Sequence, residues 1–310
     1  MALAESIKKD ISAALNEYAE MNKLSQDQLS KLAGINVSYI NAILRGDTII
    51  GKTLIQDSYF KEVASAIGYR FESEFWKPVD TDQFFDVYTE LADAKINSRV
   101  KMIIGETGCG KTYTINRFKT ECPSCTYVVT VSSLYRVNNI ISEFGKVMGL
   151  QLPKRDSIHK LYKLAGKLRY LRSTGKQPIL ILDEAENLSL PVLKMIKGLY
   201  DSVKDYCPIV LIGTNQLVNK LEKLKDNDAE GMPQFYRRFK AGIRYVTPIN
   251  KNKMFSPFLE SVSDSGLRTL LLTISDNYGE LNDYLETALR EAARMEEALT
   301  EEFFRHLFKL

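Results

Sequence analysis

Apolar positions fall at helical spacing near both ends of the chain and gather into short unbroken runs in its middle. Ile7, Ile11, Ala14, Leu15 and Tyr18 recur three or four apart, which predicts a helix with one buried face. Leu29, Leu32 and Ala33 predict a second, capped by Ser25. Val37, Ile40, Ile43 and Leu44 predict a third, with Gly34 allowing the sharp turn between the two. Phe60, Val63, Ala64 and Ile67 predict another, stopped by Gly68, and Phe84, Phe85, Tyr88 and Leu91 one capped by Thr81. Then the pattern changes. The runs Val100–Ile104, Tyr127–Val131, Ile179–Leu182 and Ile209–Ile212 read as buried strands. Helical patterns at Tyr113–Thr120, Val137–Met148, Ser157–Ser173 and Val192–Asp205 separate them. Such alternation predicts an α/β core, a parallel sheet with helices on both faces. A last apolar stripe, Leu281, Tyr284, Leu285, Ala288, Leu289, Ala292 and Leu299, predicts a helical closing segment. The pattern divides the chain into 1–78, 79–248 and 249–310, with a connector holding Trp76 and Pro78 at the first boundary.

Composition alters this picture little. At 310 residues the chain has room for about two domains of ~100–200 residues each. Hydrophobic residues make up 45% and charged ones 26%, enough for a real core. The net charge is +3, so attraction for nucleic acid has to come from local clusters. No apolar run is long enough for a membrane span. Met1 to Asp10 carries Lys8 and Lys9 and lacks the apolar stretch of a signal peptide, so a cytoplasmic location is expected. Cys122-Pro123-Ser124-Cys125 is a lone thiol pair. The other zinc-ligand candidates, Cys109, Cys207, His159 and His306, lack pair spacing, so a turn is expected there.

The candidate chemistry sharpens it more. Gly105-Glu106-Thr107-Gly108-Cys109-Gly110-Lys111-Thr112 joins the first strand run to a helix that continues from Tyr113, with the spacing G-x-x-x-x-G-K-T. Glycines let backbone N–H groups curl inward onto phosphate oxygens, and the helix start adds its positive dipole end. Lys111 supplies a mobile charge for the β- and γ-phosphates and Thr112 a hydroxyl for Mg²⁺, so ATP and Mg²⁺ are the expected ligands. Cys109, near a helix start, is expected to favour its thiolate. The third strand run ends in Asp183-Glu184. Asp183 suits the Mg²⁺ shell, and Glu184 suits a base that polarises the attacking water; a helix cap is the plainer role for such a pair. Gly213-Thr214-Asn215 follows the last run. Asn215, with Thr214 as the alternate, would orient the lytic water, although an ordinary turn also favours Gly and Asn.

Two stretches suggest a polyanionic partner. Leu24 to Gly46, closing on Arg45-Gly46-Asp47, resembles the helix-turn-helix of phage-repressor-type DNA-binding domains. That resemblance implies base contacts by Asn36, Ser38, Tyr39 and Asn41, against a plain packing hairpin as the alternative. From Lys154 to Lys176 there are eight Lys or Arg and one acidic residue, Asp156. Lys160, Lys163 and Lys167 line one flank of that helix and Arg169 the other, which suits phosphate-backbone binding as well as a solvated face. Glu280 to Glu302 has eight Asp or Glu against two Arg and would suit a basic partner or a neighbouring subunit.

Taken in order, these parts resemble the AAA+ transposition proteins typified by the B protein of bacteriophage Mu. Asp183-Glu184-Ala185, Phe235-Tyr236-Arg237-Arg238-Phe239 and the order of domains carry the resemblance. It implies an AAA+ P-loop NTPase core with a parallel sheet, a helical C-terminal lid and an all-α N-terminal helix-turn-helix domain. It implies that Arg237, with Arg238 as the alternate, is an arginine finger for a neighbouring subunit's γ-phosphate, and that Tyr135 and Arg136 face DNA. It implies an ATPase that assembles as a filament or ring on double-stranded DNA in a bacterial nucleoid. Such a protein selects target DNA, delivers it to a transposase and stimulates strand transfer. The family's lid arginine would stand at Asn282, so that sensor is absent or moved, with Arg290 as the candidate. A helicase loader or replication initiator, and a nucleotide-gated DNA-binding regulator, would share the same parts.

Overall fold

The computed structural model describes all residues except 1, 2, 4, 23, 52, 70–75, 77, 124 and 155. Positions 71–75 and 77 of the connector that holds Trp76 and Pro78, Ser124 of the thiol pair and Arg155 of the basic stretch therefore lie outside the described residues. Chain contacts separate two compact units, Met1–Glu72 with Asn116–Ser124, and Ser73–Ile115 with Cys125–Leu310.

The first unit is built from α1 (Glu5–Asn22), α2 (Gln26–Ala33), α3 (Val37–Leu44), a hairpin of β1 (Ile49–Ile50) and β2 (Thr53–Leu54), and α4 (Asp57–Ile67). α2 begins in a capping box: the Ser25 hydroxyl accepts from Gln28 N–H while the Gln28 side chain accepts from Ser25 N–H. It ends at Gly34, left-handed at φ +72, which releases a carbonyl-satisfying N–H back to Ser30. Asn36 caps α3 by accepting from Ser38 N–H. The apolar faces meet in one core of Ile11, Leu15, Leu29, Ile40, Ile43, Phe60 and Val63. Two-residue strands are too short for a period to register, so periodicity predicts no hairpin there.

The second unit opens with α5 (Asp82–Asn97) and β3 (Lys101–Ile104), and α6 (Lys111–Glu121) begins in it. β4 (Thr126–Thr130), α7 (Val137–Val147), α8 (Ser157–Ser173), β5 (Ile179–Asp183), α9 (Leu190–Val203) and β6 (Ile209–Gly213) follow. α10 (Asn215–Asp226), α11 (Met232–Lys240) and β7 (Ile243–Tyr245) complete the core. The sheet runs β4-β5-β6-β3-β7, and every pairing is parallel. β3, β5 and β6 are buried along their whole length, as expected for strands covered on both faces. Their alternate residues Met102, Ile104, Leu180, Leu182, Ile209 and Leu211 share a core with Ile140, Phe144, Leu164, Leu168 and Ile196 of the covering helices. β7 is a strand that the apolar runs do not reveal. Its Ile243 is only partly buried and Arg244 and Tyr245 are exposed, because it lies at the sheet edge.

The strand order reverses beside β3. The chain leaves it for β4, returns through β5 and β6, and then passes to β7 on the other side. Loops at the carboxyl ends of strands at such a reversal diverge and leave a crevice. The glycine loop sits there.

The closing segment is five helices: α12 (Lys251–Met254), α13 (Ser256–Leu259), α14 (Ser265–Ile274), α15 (Tyr278–Met295) and α16 (Glu301–Phe308). Its core gathers Phe255, Leu267, Leu271, Leu281, Leu285 and Phe304. Trp76 stacks on Phe258 at 4.6 Å between ring centroids. α15 stops at Glu296, left-handed at φ 58, so Leu299 packs on the lid core from beyond the helix.

Candidate functional site

Three strand ends converge on the crevice. From β3 comes the loop 105–110, with Gly108 at φ +72 and Gly110 at φ +90. Only glycine adopts such angles without strain, and a Cβ on Gly110 would meet nothing within 4 Å, which leaves that side of the loop open. Lys111 is folded onto its own loop, its Nζ donating to Gly105 O at 2.9 Å and to Glu106 O at 2.6 Å. Glu106, Thr107 and Thr112 are exposed, and Tyr113 is half-buried with its ring 6.1 Å from that of Phe84.

From β5 comes Asp183, only 2% exposed. Its Oδ2 accepts from Thr112 Oγ1 at 2.8 Å and its Oδ1 from Glu184 N–H at 3.0 Å. Burial pushes its carboxyl above the usual range, while the Thr112 and Glu184 bonds pull it back. Glu184 is exposed and left-handed at φ 52. For a residue with a Cβ this costs about 1–2 kcal/mol, the kind of strain that persists at functional sites. Its Oε2 accepts from Asn187 Nδ2 at 3.3 Å.

From β6 come Gly213, Thr214 and Asn215. Asn215 is exposed at the start of α10, and Thr214 Oγ1 is buried with no partner among the described residues. Glu186, which the motifs do not single out, also has a buried and unpartnered oxygen, Oε2. A Cβ on Gly213 would lie 2.4 Å from that oxygen, so the carboxylate lies on the glycine. Orphaned polar atoms of this kind mark a site completed by ligand or water. Together with the open glycine loop and the Thr112–Asp183 pair, the donor set fits a nucleoside triphosphate with a hard divalent cation.

Cys109 differs from expectation. It is 2% exposed, and burial raises its thiol above the usual value, with the nearby Lys111 offsetting only part of that. Desolvation outweighs the helix start, so the thiol form is favoured. Arg290 also differs. It pairs with Glu286 on the exposed side of α15. Lying twelve residues beyond Tyr278, it is about 18 Å along the helix from the end that meets the loop. Asn282 itself has a buried Oδ1 with no partner among the described residues.

Comparison with known proteins identifies this architecture. Residues 96–221 match the AAA domain family and residues 15–57 the helix-turn-helix family. The crystal structure of Cdc6p from Pyrobaculum aerophilum superposes with a TM-score of 0.54 at 17% identity, over 76% of this chain and 68% of that one, a likeness of fold. The fold is that of an AAA+ P-loop protein. Within that class the chain resembles the ATP-dependent target DNA activator B of Escherichia phage Mu, 23% identical over 97% of this chain and 94% of the relative. The corresponding protein of Escherichia phage D108 matches at the same level. A putative ORC1-type DNA replication protein 1 of Thermoplasma acidophilum is 33% identical over 104 residues, which are 33% of this chain and 27% of that one. Among the described residues, no helix is long and apolar enough to cross a membrane.

Outside the crevice, the α/β core carries the two basic candidates on adjoining elements. Arg136 is exposed at the N-cap of α7, and Tyr135 is partly buried against the core. Ser157 Oγ at the start of α8 donates to Asn138 Oδ1 at 3.0 Å, so the N-terminal ends of α7 and α8 meet. Arg136 and Lys160 thus stand at the same end of the two helices. Further along α8, Lys163 donates to Gln151 O at 2.6 Å and Lys167 lies 5.7 Å over the Tyr170 ring. Tyr162 and Tyr170 are exposed among these cations, and Leu134, 84% exposed, precedes Tyr135.

In the helix-turn-helix unit the four candidates differ in freedom. Asn36 spends its oxygen on the cap, Tyr39 stacks on Tyr59 at 4.3 Å, and Asn41 Oδ1 is buried without a partner among the described residues. Ser38 is the exposed side chain of α3, with Arg45 following at its C-cap in a 2.9 Å pair with Asp47.

The two arginines of α11 separate clearly. Arg238 pairs with Asp201 at 2.7 Å and lies 5.5 Å over the Tyr200 ring. Arg237 is exposed and makes no ion pair among the described residues.

Proposed function

We propose that this protein is an ATP-hydrolysing target-DNA activator: it binds ATP in the crevice after β3, assembles on duplex DNA, and passes target DNA to a transposase. The single observation that carries the ATPase part is the pair of strand-end groups facing the glycine loop, Asp183 bonded to Thr112 with Glu184 held in a left-handed turn beside it. Likeness to the phage activators over nearly the full chain supports the DNA part.

Phosphates enter against the N–H groups of 105–110, and Lys111 exchanges the loop carbonyls for β- and γ-phosphate oxygens. Thr112 and Asp183 would hold Mg²⁺, which neutralises charge on those oxygens. Glu184 takes the proton of the attacking water, and Asn215 orients that water. Arg237 extends from its own subunit to the γ-phosphate of the next, so turnover depends on assembly. DNA then runs along the basic ends of α7 and α8, with Ser38 and its neighbours adding contact from the N-terminal unit. Backbone contact of this kind is weakly sequence-selective and strongly salt-dependent.

ATP turnover of Glu184→Gln tests the reading. Loss of the base lowers turnover by roughly 10²–10⁴-fold while ATP still binds. Unchanged turnover would remove Glu184 from the chemistry. The ORC1-type match over 104 residues favours a second reading, a replication initiator or helicase loader. Stimulation of turnover by a transposase rather than by a replicative helicase separates the two.

A further inference from the structure

The glycine loop is gripped from two sides by the lid and its connection. At Gly105 an added Cβ would lie 3.1 Å from Val246. Val246 follows β7 and donates its N–H to Ile104 O at 2.8 Å. At Gly108 a Cβ would lie 2.2 Å from Asn277 Oδ1 and 2.3 Å from its Cγ, so the bare glycine is packed on that side chain. Asn277 is fixed in turn. Its Oδ1 accepts from Glu280 N–H at 3.0 Å and its Nδ2 donates to Glu280 Oε1 at 2.8 Å, while Glu280 Oε2 accepts from Asp276 N–H at 2.7 Å. The next residue, Tyr278, is 8% exposed and donates its hydroxyl to Gln83 Oε1 at 2.8 Å. Gln83 is wholly buried, and its Nε2 donates to Thr247 O at 2.9 Å and Pro248 O at 3.3 Å, on the stretch that leaves β7 for the lid.

We infer that Asn277 is the lid's contact with the nucleotide loop and reports its filling, and that Gln83 and Tyr278 are positioning residues that set its reach. The inference rests on the loop being the ATP site. Phosphate oxygens draw the loop's N–H groups inward, and a glycine packed on an immobile side chain moves only with it. Asn277 leads through its capping bonds directly into α15, so filling of the loop becomes displacement of the lid helix. No cation of α15 takes part: Arg290 is paired with Glu286 far along the helix, and position 282 is an asparagine. The lid therefore responds to a filled loop and not to the charge of the γ-phosphate. ADP and ATP move it alike, and discrimination between them falls to Arg237 from the neighbouring subunit.

Hydrogen exchange over residues 278–285 tests this, in the full chain with ATP, ADP or no nucleotide, alongside the Kd of a fluorescent ATP analogue. Asn277→Ser keeps a capping oxygen, and so the helix, but withdraws Oδ1, the atom nearest Gly108, and shortens the side chain behind it to the Cβ and hydroxyl. The wild type is expected to gain similar protection with ADP and ATP. Asn277→Ser is expected to lose that gain while its Kd stays within about threefold and its melting temperature is retained. Tyr278→Phe keeps its ring against Phe255 and Phe258, loses the bonds of its hydroxyl, and shows a smaller loss of the same kind. Protection that appears with ATP alone, or that survives in Asn277→Ser, overturns the inference while nucleotide binding stands. A wild type that binds no nucleotide overturns the ATP-site reading, and the inference with it.

Discussion

Asp183 faces opposed demands. Its burial suits a cation site, yet without the cation a buried carboxylate is costly. Its folded pKa is raised by desolvation, so the carboxyl stabilises the fold most below its ordinary value of 3.8, and that contribution is lost as pH rises through the folded value. Asp183→Asn is therefore expected to melt at higher temperature than the wild type at neutral pH without Mg²⁺, with the gap closing toward pH 3.8, while ATP turnover is abolished. Thermal melts across that pH range, with an ATPase assay, check both halves. Lys101 shows the opposite sign. Its side chain is 5% exposed in β3, with Nζ 2.5 Å from both Glu90 and Asp93. This pairing first, and Asn97 second, hold the Asp93 carboxyl below its ordinary 3.8. The Asp93 contribution is present above that value and is lost as pH falls through the folded one. Lys101→Met is expected to lower stability at neutral pH and to flatten the acid limb, read from urea unfolding at neutral and acid pH. The sequence shows Lys101 only as a break in an apolar run, because its partners lie on another element.

At the scale of elements, legibility followed burial. Strands covered on both faces, β3, β5 and β6, stand out as apolar runs, and the loop and carboxylates at their ends are legible with them. β7 is hidden because an edge strand of Ile243, Arg244 and Tyr245 has no apolar run to show. The Gln83, Asn277 and Tyr278 contacts are hidden for another reason: they join positions about 160 to 195 apart, and no local pattern encodes such a meeting. The helix-turn-helix was legible through Ser25 and Gly34, while the Asn36 cap was read only as a base contact and the Tyr39–Tyr59 stack was not legible, since it depends on where α4 packs. Adjoining α7 and α8 make a quantitative prediction. If Arg136 and Lys160 each contact a phosphate, changing both to alanine reduces the slope of log K against log salt by about 1.8 at about 0.9 per contact. Titration of duplex DNA at several salt concentrations measures it. In the lid, Phe304 is fully buried, so Phe304→Ala is expected to cost about 3–5 kcal/mol in urea unfolding.

For the molecule as a whole, the proposed turnover depends on assembly. Arg237 has no ion-pair partner among the described residues of its own chain, whereas Arg238 is held by Asp201 and Tyr200. Arg237→Ala is therefore expected to lower DNA-stimulated turnover by roughly 10³-fold or more without loss of folding. Arg238→Ala should mainly lower the melting temperature. Mixing Arg237→Ala with Glu184→Gln restores part of the activity if the finger acts across subunits, because some junctions then hold one intact copy of each group. In the proposed function, ATP binding at subunit junctions makes nucleotide state govern assembly on DNA, and electron microscopy of the protein on duplex DNA with ATP or ADP tests this most directly. Filaments or rings with ATP that disperse with ADP are predicted; the same particles with both nucleotides, or no ordered assembly with ATP, would contradict it.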